Sequence, residues 1–343
     1  MSTHLSTDRE IELLLSTPTA GAIETVARLQ GDFMVLGVGG KMGTTTAVML
    51  RRALDAAGRK DAVVFGVSRF SRASAREELE QLGVRTLPCD LAEAAQLAAL
   101  PSASNILYLA GQKFGTDSAP ELTWLQNTYV PALVAQRFRS SRIVVFSTGC
   151  VYPFVSTDGA GASEREPLAF IGEYASTCVG RERVFTHFSK QFDTPQLMFR
   201  LNYAVELRYG VLVDIATKVY RGEPVDVTMG WLNCIWQGDA CARAIQCLDH
   251  TATPPRILNI TGPEKLSVRE VAQEFGRRFE KPPAITGREA PTAWLADASE
   301  SIRLFGAPEV SISRMMELIT DYIRQDGRLL GKPTHFEARS GSF

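Results

Sequence analysis

Several features that would assign a chain to a specialised class are missing here. The 343 residues carry 37 Lys+Arg against 38 Asp+Glu, a formal net charge of -1, with no basic block or polybasic tail. This excludes the charge pattern of a nucleic-acid binder or of a protein drawn to an anionic membrane. No window approaches the roughly 20 apolar residues of a membrane span. The opening stretch "MSTHLSTDREIELLLSTPTAG" has early acids and no apolar run of signal-peptide length. A soluble, cytoplasmic protein is expected. Histidines number only four (His4, His187, His250, His335) and show no triad or metal spacing. Six cysteines (Cys89, Cys150, Cys178, Cys234, Cys241, Cys247) are scattered, with no C-x-x-C pair and no grouping with histidine. No metal site is expected, and the thiols are read as reduced and mostly structural. Internal repeats and low-complexity tracts are absent as well.

What remains is a chain that is 45% apolar and long enough for one large α/β unit or two moderate domains. Thr7-x-x-Glu10 is a capping-box pattern before "IELLL", and Thr17-Pro18 puts proline at the start of a second helix reaching "ETVARL". From Asp32 onward, short apolar runs alternate with helical segments. The runs are "FMVLGVG", "AVVFGVS", "VRTLP", "NILYLAG", "RIVVFSTG" and "QLMFRL". "TTTAVMLRRALDAAG" and "ELTWLQNTYVPALVAQRF" read as helices between them. Continuous apolar strands separated by helices predict a parallel sheet covered on both faces. Beyond Tyr203, "GVLVDIATKVYRG" and "ACARAIQCL" read as helices and "RILNITG" as one more strand, and Ser267-x-x-Glu270 caps "VREVAQEFGRRF". The expected division is a helical extension over 1–31, a Rossmann-type doubly wound α/β domain over 32–203 to which a strand near 256–262 returns, a smaller mixed substrate domain over 204–330, and a tail over 331–343.

The stretch "VLGVGGKMGTTTAVML" sets Gly37, Gly40 and Gly43 at a spacing of three, between a strand and a helix. That context suits a tight turn, close approach of backbone to a pyrophosphate, and close packing of helix on strand. Lys41 and Met42 lie inside the loop, where they either touch the cofactor or face solvent. An NAD site normally offers an acid to the adenosine ribose at the end of the second strand. Here that end reads Ser68-Arg69, a hydroxyl and a guanidinium suited to a 2′-phosphate, so NADP is expected and NAD is less favoured.

Taken in order, these motifs resemble the extended branch of the short-chain dehydrogenase/reductase superfamily, the epimerase and dehydratase type. Gly37, Gly40 and Gly43 match its glycine loop. Asp90-Leu91 matches the Asp-Leu pair that in the family sits by the adenine, and Tyr108-Leu109-Ala110-Gly111 resembles its "hLAA" segment near the ribose and phosphates. Asn127 stands at the family's helical asparagine, and "VVFSTGCVYP" is similar to its "SSxxVYG" strand, which puts Thr148 at the catalytic Ser/Thr position. Tyr174 and Glu182 match the Tyr-x-x-x-Lys helix and its later glutamate. "CIWQGDACARAI" and "LNITGPEKLSVREVA" resemble two later family segments. The resemblance spans about residues 33–325. It implies an NAD(P)-dependent oxidoreductase or epimerase-like enzyme, a small-molecule substrate and a homodimer; from the charge balance, no nucleic-acid or membrane partner is expected.

One position departs from the pattern: Cys178 stands where the family has lysine. The resemblance implies that this lysine holds the nicotinamide ribose and lowers the pKa of the tyrosine. A tyrosine near pKa ~10 without such a cation is only about 0.1% ionised at neutral pH. Three readings follow. Arg181, Lys41 or Lys113 replaces the lysine; or Tyr174 stays protonated and donates a hydrogen bond or a proton beside Thr148; or the protein binds cofactor as a sensor or scaffold without turnover. Cys178 itself is either a nucleophile or a small buried thiol. On the substrate side, the family's "R-x-x-N" is matched by Arg200 but has Tyr203 in the asparagine slot. A carbonyl or polyol compound, such as a sugar or sugar acid, is expected there. Tyr152, Arg208 and Trp236 are candidate contacts, each equally readable as packing.

Overall fold

The computed structural model describes residues 7–116, 118–332 and 334–341, so His4 and the first six positions of the N-terminal extension lie outside the described residues. Seven strands, β1 (Phe33–Leu36), β2 (Val64–Ser68), β3 (Arg85–Pro88), β4 (Asn105–Tyr108), β5 (Arg142–Thr148), β6 (Gln196–Leu201) and β7 (Arg256–Ile260), form one sheet in the order β7-β6-β5-β4-β1-β2-β3. Every pairing in it is parallel. They coincide with the seven apolar runs of the sequence. Along β1 the side chains divide between two cores, Val35 joining Val48, Leu107 and Val144 on one face, and Met34 and Leu36 joining Ile106, Val145 and Phe185 on the other. This alternation on a strand buried throughout is what a sheet covered on both faces requires. The strand order reverses between β1 and β4, the crevice where such sheets bind ligands.

Helix α1 (Asp8–Leu15) carries the full Thr7–Glu10 capping box. Helix α2 (Ala20–Arg28) begins later than Thr17-Pro18 suggests, because the Thr19 hydroxyl accepts the Ala22 N–H and so becomes the cap, leaving Pro18 outside. The segment 120–137, which reads as one helix, is broken by a π turn at Leu125–Tyr129. Pro131 follows that turn and has no N–H to give the Asn127 carbonyl, a standard reason for the α ladder to widen. Beyond Tyr203 a second core forms where the helices Val211–Arg221, Val268–Phe279 and Ile312–Arg324 pack together, joined by Ile11 and Leu15 of α1. Two-residue strand pairs stitch this region, among them Ala204–Val205 with Ile235–Trp236 and Val225–Asp226 with Ile285–Thr286. Among the described residues no helix is long and apolar enough to cross a membrane, no metal-ligand group forms, and the six cysteines are free and buried.

Behind the sheet's carboxyl edge lies a buried polar chain. Ser147 Oγ donates to Glu182 Oε1 at 2.5 Å, and Arg200 clasps the same carboxylate through Nε (2.9 Å) and Nη2 (2.6 Å). Arg200 Nη1 donates to the Tyr152 hydroxyl at 2.7 Å, which donates to Asn259 Oδ1 at 2.7 Å. Removing one partner strands a buried charge. Glu182→Ala is therefore expected to lower unfolding free energy by about 3–5 kcal/mol in urea denaturation, and a loss below about 1 kcal/mol, the value of an exposed pair, would contradict this picture.

Candidate active site

A cavity of about 420 Å³ opens at the carboxyl ends of β1, β4, β5 and β6. Gly37, Gly40, Lys41, Met42 and Gly43 form one wall, Leu109 and Gly111–Phe114 a second, and Thr148, Cys150, Tyr174 and Arg181 the floor, with Tyr203, Ala204 and Tyr209 opposite. Its size is within the range of small-molecule sites.

The glycine wall is built for close approach. Gly37 sits at φ +95°, and a Cβ there would lie 2.6 Å from the Ala110 backbone nitrogen; a Cβ at Gly43 would run into the Gly37 carbonyl. Gly40 is the cap of the 16-residue helix α3 (Lys41–Ala56) and offers no side chain, so the first-turn N–H groups and the positive end of the helix dipole face the cavity. Such a cradle fits a pyrophosphate. Lys41 adds a full charge, its ammonium 4.1 Å from the centroid of the Tyr209 ring. Desolvation brings it down to about 8, against the opposing pull of Glu206.

Tyr174 rises from the helix Gly172–Phe192 and shares a hydrogen bond with Thr148 at the end of β5. Thr148 Oγ1 also accepts the Cys150 N–H at 3.2 Å, which fixes its rotamer toward the cavity floor. Burial, reinforced by Cys178 and Cys150, holds the Tyr174 phenol well above its usual range, while Arg181 and Thr148 pull it back only in part. The Tyr174 phenol is thus held in its protonated form at neutral pH. Cys178 is fully buried, hydrogen-bonded with Tyr174, and pushed up to about 11 chiefly by desolvation. Burial thus keeps it a thiol, which favours the reading of Cys178 as a small buried residue over that of a nucleophile.

Arg181, 6% exposed, donates from Nη1 to the Phe146 carbonyl at 2.8 Å and from Nη2 to Asn127 Oδ1 at 2.6 Å. Asn127, in the π turn, also grips the Gln112 backbone, accepting its N–H and donating to its carbonyl, both at 2.8 Å, and so holds the loop after β4. Tyr203 faces the cavity at φ +46°, a left-handed conformation costly for a bulky residue and often found at functional sites.

Other expected residues lie off the cavity. Ser68 sits beside Gly39 at the end of β2, Arg69 is exposed, and Asp90 accepts the Ala92 N–H at 3.0 Å in the turn after β3. Leu91 packs in the core, while Ala110 lies under Gly37. The three candidate substrate contacts need correction. Tyr152 is buried in the Arg200–Asn259 chain, Trp236 is 2% exposed within the second core, and Arg208 is held by Glu206 (3.2 Å) and Asp8 (3.0 Å), so none of them lines the cavity.

Residues not anticipated take their place: Gln112, Phe114, Tyr209, Leu330 at the end of the expected substrate domain and, from the segment read as a tail, Lys332 and Thr334. Thr334 donates from N (2.7 Å) and Oγ1 (2.6 Å) to Asp214, and Lys218 pairs with Glu337 at 3.0 Å, tying this segment over the opening. Its only sequence signal is the basic, glycine-bearing "LLGKPTH".

A parallel sheet with a glycine-capped helix at its switch point and a Thr–Tyr pair in the crevice defines a dinucleotide-dependent class of enzyme. The NAD dependent epimerase/dehydratase family matches residues 33–226, more than half of the chain, and the protein belongs to that family. It is an NAD(P)-dependent enzyme of the epimerase/dehydratase class. Comparison with curated proteins found no match. Among solved structures, an epimerase from Methanothermobacter thermautotrophicus is similar at 17% identity with a TM-score of 0.73, over 90% of this chain and 97% of that one. The dTDP-glucose 4,6-dehydratase of Streptomyces venezuelae, solved with NAD, gives 17% and 0.71 over 85% and 97%. The Thermus thermophilus UDP-glucose 4-epimerase, in complex with NAD, gives 18% and 0.69 over 85% and 99%. At these identities the likeness speaks for the fold.

The low Lys41 pKa has a measurable consequence. Its charge is present below pH 8 and is lost above it. Affinity for a pyrophosphate-bearing dinucleotide is expected to weaken as pH rises from 7 to 9, and this dependence should flatten in Lys41→Met. An unchanged pH profile in the variant would remove Lys41 from the phosphate site.

Proposed function

We propose that the protein transfers hydride between NADP and a carbonyl or hydroxyl carbon of a sugar-like substrate, with Tyr174 as the proton donor and Thr148 as its partner. The observation that carries this reading is the Thr148–Tyr174 pair in the lining of the same cavity as the glycine cradle. Gly37, Gly40 and Gly43 would hold the pyrophosphate, with Asn127 keeping the ribose-side loop in place. The bound nicotinamide supplies the hydride. Tyr174 then delivers its proton to the substrate oxygen as charge develops on it, and Thr148 orients the phenol. A phenol held well above its usual range favours this reducing direction, because the oxidative direction needs a base. Ser68 and exposed Arg69, at the end of β2 beyond the glycine loop, support the choice of NADP. The relatives solved with NAD do not bear on that preference.

The lining supports an acidic sugar or another small anion as substrate. Lys41, Lys113, Arg181 and Lys332 face the cavity, and among the described lining residues there is no Asp or Glu. Pairing of two copies through the 120–137 and 172–192 helices is supported by the exposed Leu122 (48%), Trp124 (44%) and Tyr129 (53%).

Tyr174→Phe is the direct test. With a reducible sugar-acid substrate, turnover should fall by about 10²–10⁴-fold, the usual value of a positioned proton donor. Cofactor affinity in fluorescence titration should stay near wild type. Full turnover in the variant would exclude Tyr174 as the acid.

A further inference from the structure

The residue that replaces the lysine of the catalytic helix is written into a set of three positions. Side chains on a helix lean toward its N-terminus, so a long chain at 181 covers the turn occupied by residue 178 and reaches back toward Tyr174. Residue 178 is the small, fully buried Cys178, which leaves that path open. The far end of the guanidinium meets Gly111. A Cβ there would collide with Arg181 Nη2 and come within 2.8 Å of Asn127 Oδ1. The sequence resemblance puts alanine at this last position of the "hLAA" segment, and this chain has glycine.

Two Arg181 donors are spent on Phe146 and Asn127, whereas Nε is buried without a hydrogen-bond partner among the described residues. Nε is closed off from the cavity, so an acceptor there would reach the guanidinium through the Nη hydrogens that Phe146 and Asn127 leave over, Arg181 being part of the cavity lining. Its charge also acts on the neighbouring Tyr174.

We propose that Arg181 takes the place of the missing lysine, positioning the nicotinamide ribose and biasing Tyr174, and that Cys178 and Gly111 are the two small residues that make room for it. The inference rests on the dinucleotide site proposed above. An arginine stays charged across the whole working pH range, so it holds and polarises without relaying a proton.

The test is a double-mutant cycle read by NADPH titration and by the pH profile of turnover. Arg181→Ala should weaken NADPH binding roughly tenfold, the value of one charge-assisted hydrogen bond. Gly111→Ala should weaken it comparably, by displacing the guanidinium. The two together should be no worse than Arg181→Ala alone, because the methyl group no longer has anything to displace. Returning the cation to its family position with Cys178→Lys in the Arg181→Ala background should restore binding and introduce a new ionisation in the pH profile, which a purely structural role would not do. If wild type binds NADPH and Arg181→Ala binds it equally well, or the Gly111 and Arg181 effects simply add, the inference fails while the dinucleotide site stands. If wild type binds neither NADPH nor NADH, both fail. Should Gly111→Ala not fold, Arg181→Ala and the Cys178→Lys rescue decide the matter alone.

Discussion

A buried guanidinium cannot be left unpaired, and that constraint organises the carboxyl edge of this sheet. Arg181 is pinned by the Phe146 carbonyl on β5 and by Asn127 in the π turn, and Asn127 in turn clamps the backbone of Gln112. One charged group therefore ties together a strand, a distorted helix and the loop that forms a cavity wall. Burying a charge is costly unless its hydrogen bonds are supplied, so these elements are held in register by the penalty for separating them. A second guanidinium, Arg200, acts in the same way deeper in the fold, where its pair with Glu182 anchors β5, β6 and β7. The helix Gly172–Phe192 is thus held at two successive positions, Arg181 lining the cavity and Glu182 paired within the core.

That rigidity sets the chemistry. Tyr174 is fixed against Thr148 in a desolvated corner with two neighbouring thiols, and its proton is strongly retained. Where the sequence resemblance implies a lysine that eases this proton off, Arg181 is the nearby cation, and its pull offsets the effect of burial only in part. The site is consequently suited to giving a proton to an oxygen that gains charge, and poorly suited to taking one from a neutral alcohol. The lining is cation-rich, with Lys113 and Lys332 brought in from separate segments, and it is this lining on which the proposal of an anionic substrate rests.

The sheet was legible because its central strands, β1, β4 and β5, are buried on both faces and read as apolar runs, whereas the edge strand β3 leaves Arg85 and Pro88 exposed; the glycine loop was legible because only glycine tolerates the contact at Gly37. Thr148, Tyr174 and the Cys178 departure followed from motif order alone. Other features depend on contacts distant in sequence. Tyr152 and Trp236 look like pocket aromatics, but their surroundings are set by Arg200 and by a core assembled from three later helices. Arg208 is drawn away by Asp8, 200 residues earlier. The π turn hides in an ordinary helical pattern, and its one clue is Pro131. The segment carrying Lys332 and Thr334 has no periodicity of its own, being held by Asp214 on a remote helix.

The most direct measurement is a fluorescence titration of the purified protein with NADPH and NADH at neutral pH. Saturable binding of NADPH, tighter than that of NADH, is the result expected of the glycine cradle with Ser68 and Arg69 beyond it. Failure to bind either nucleotide would mean that the loss of the lysine accompanies the loss of the cofactor site, and would contradict the account at its centre.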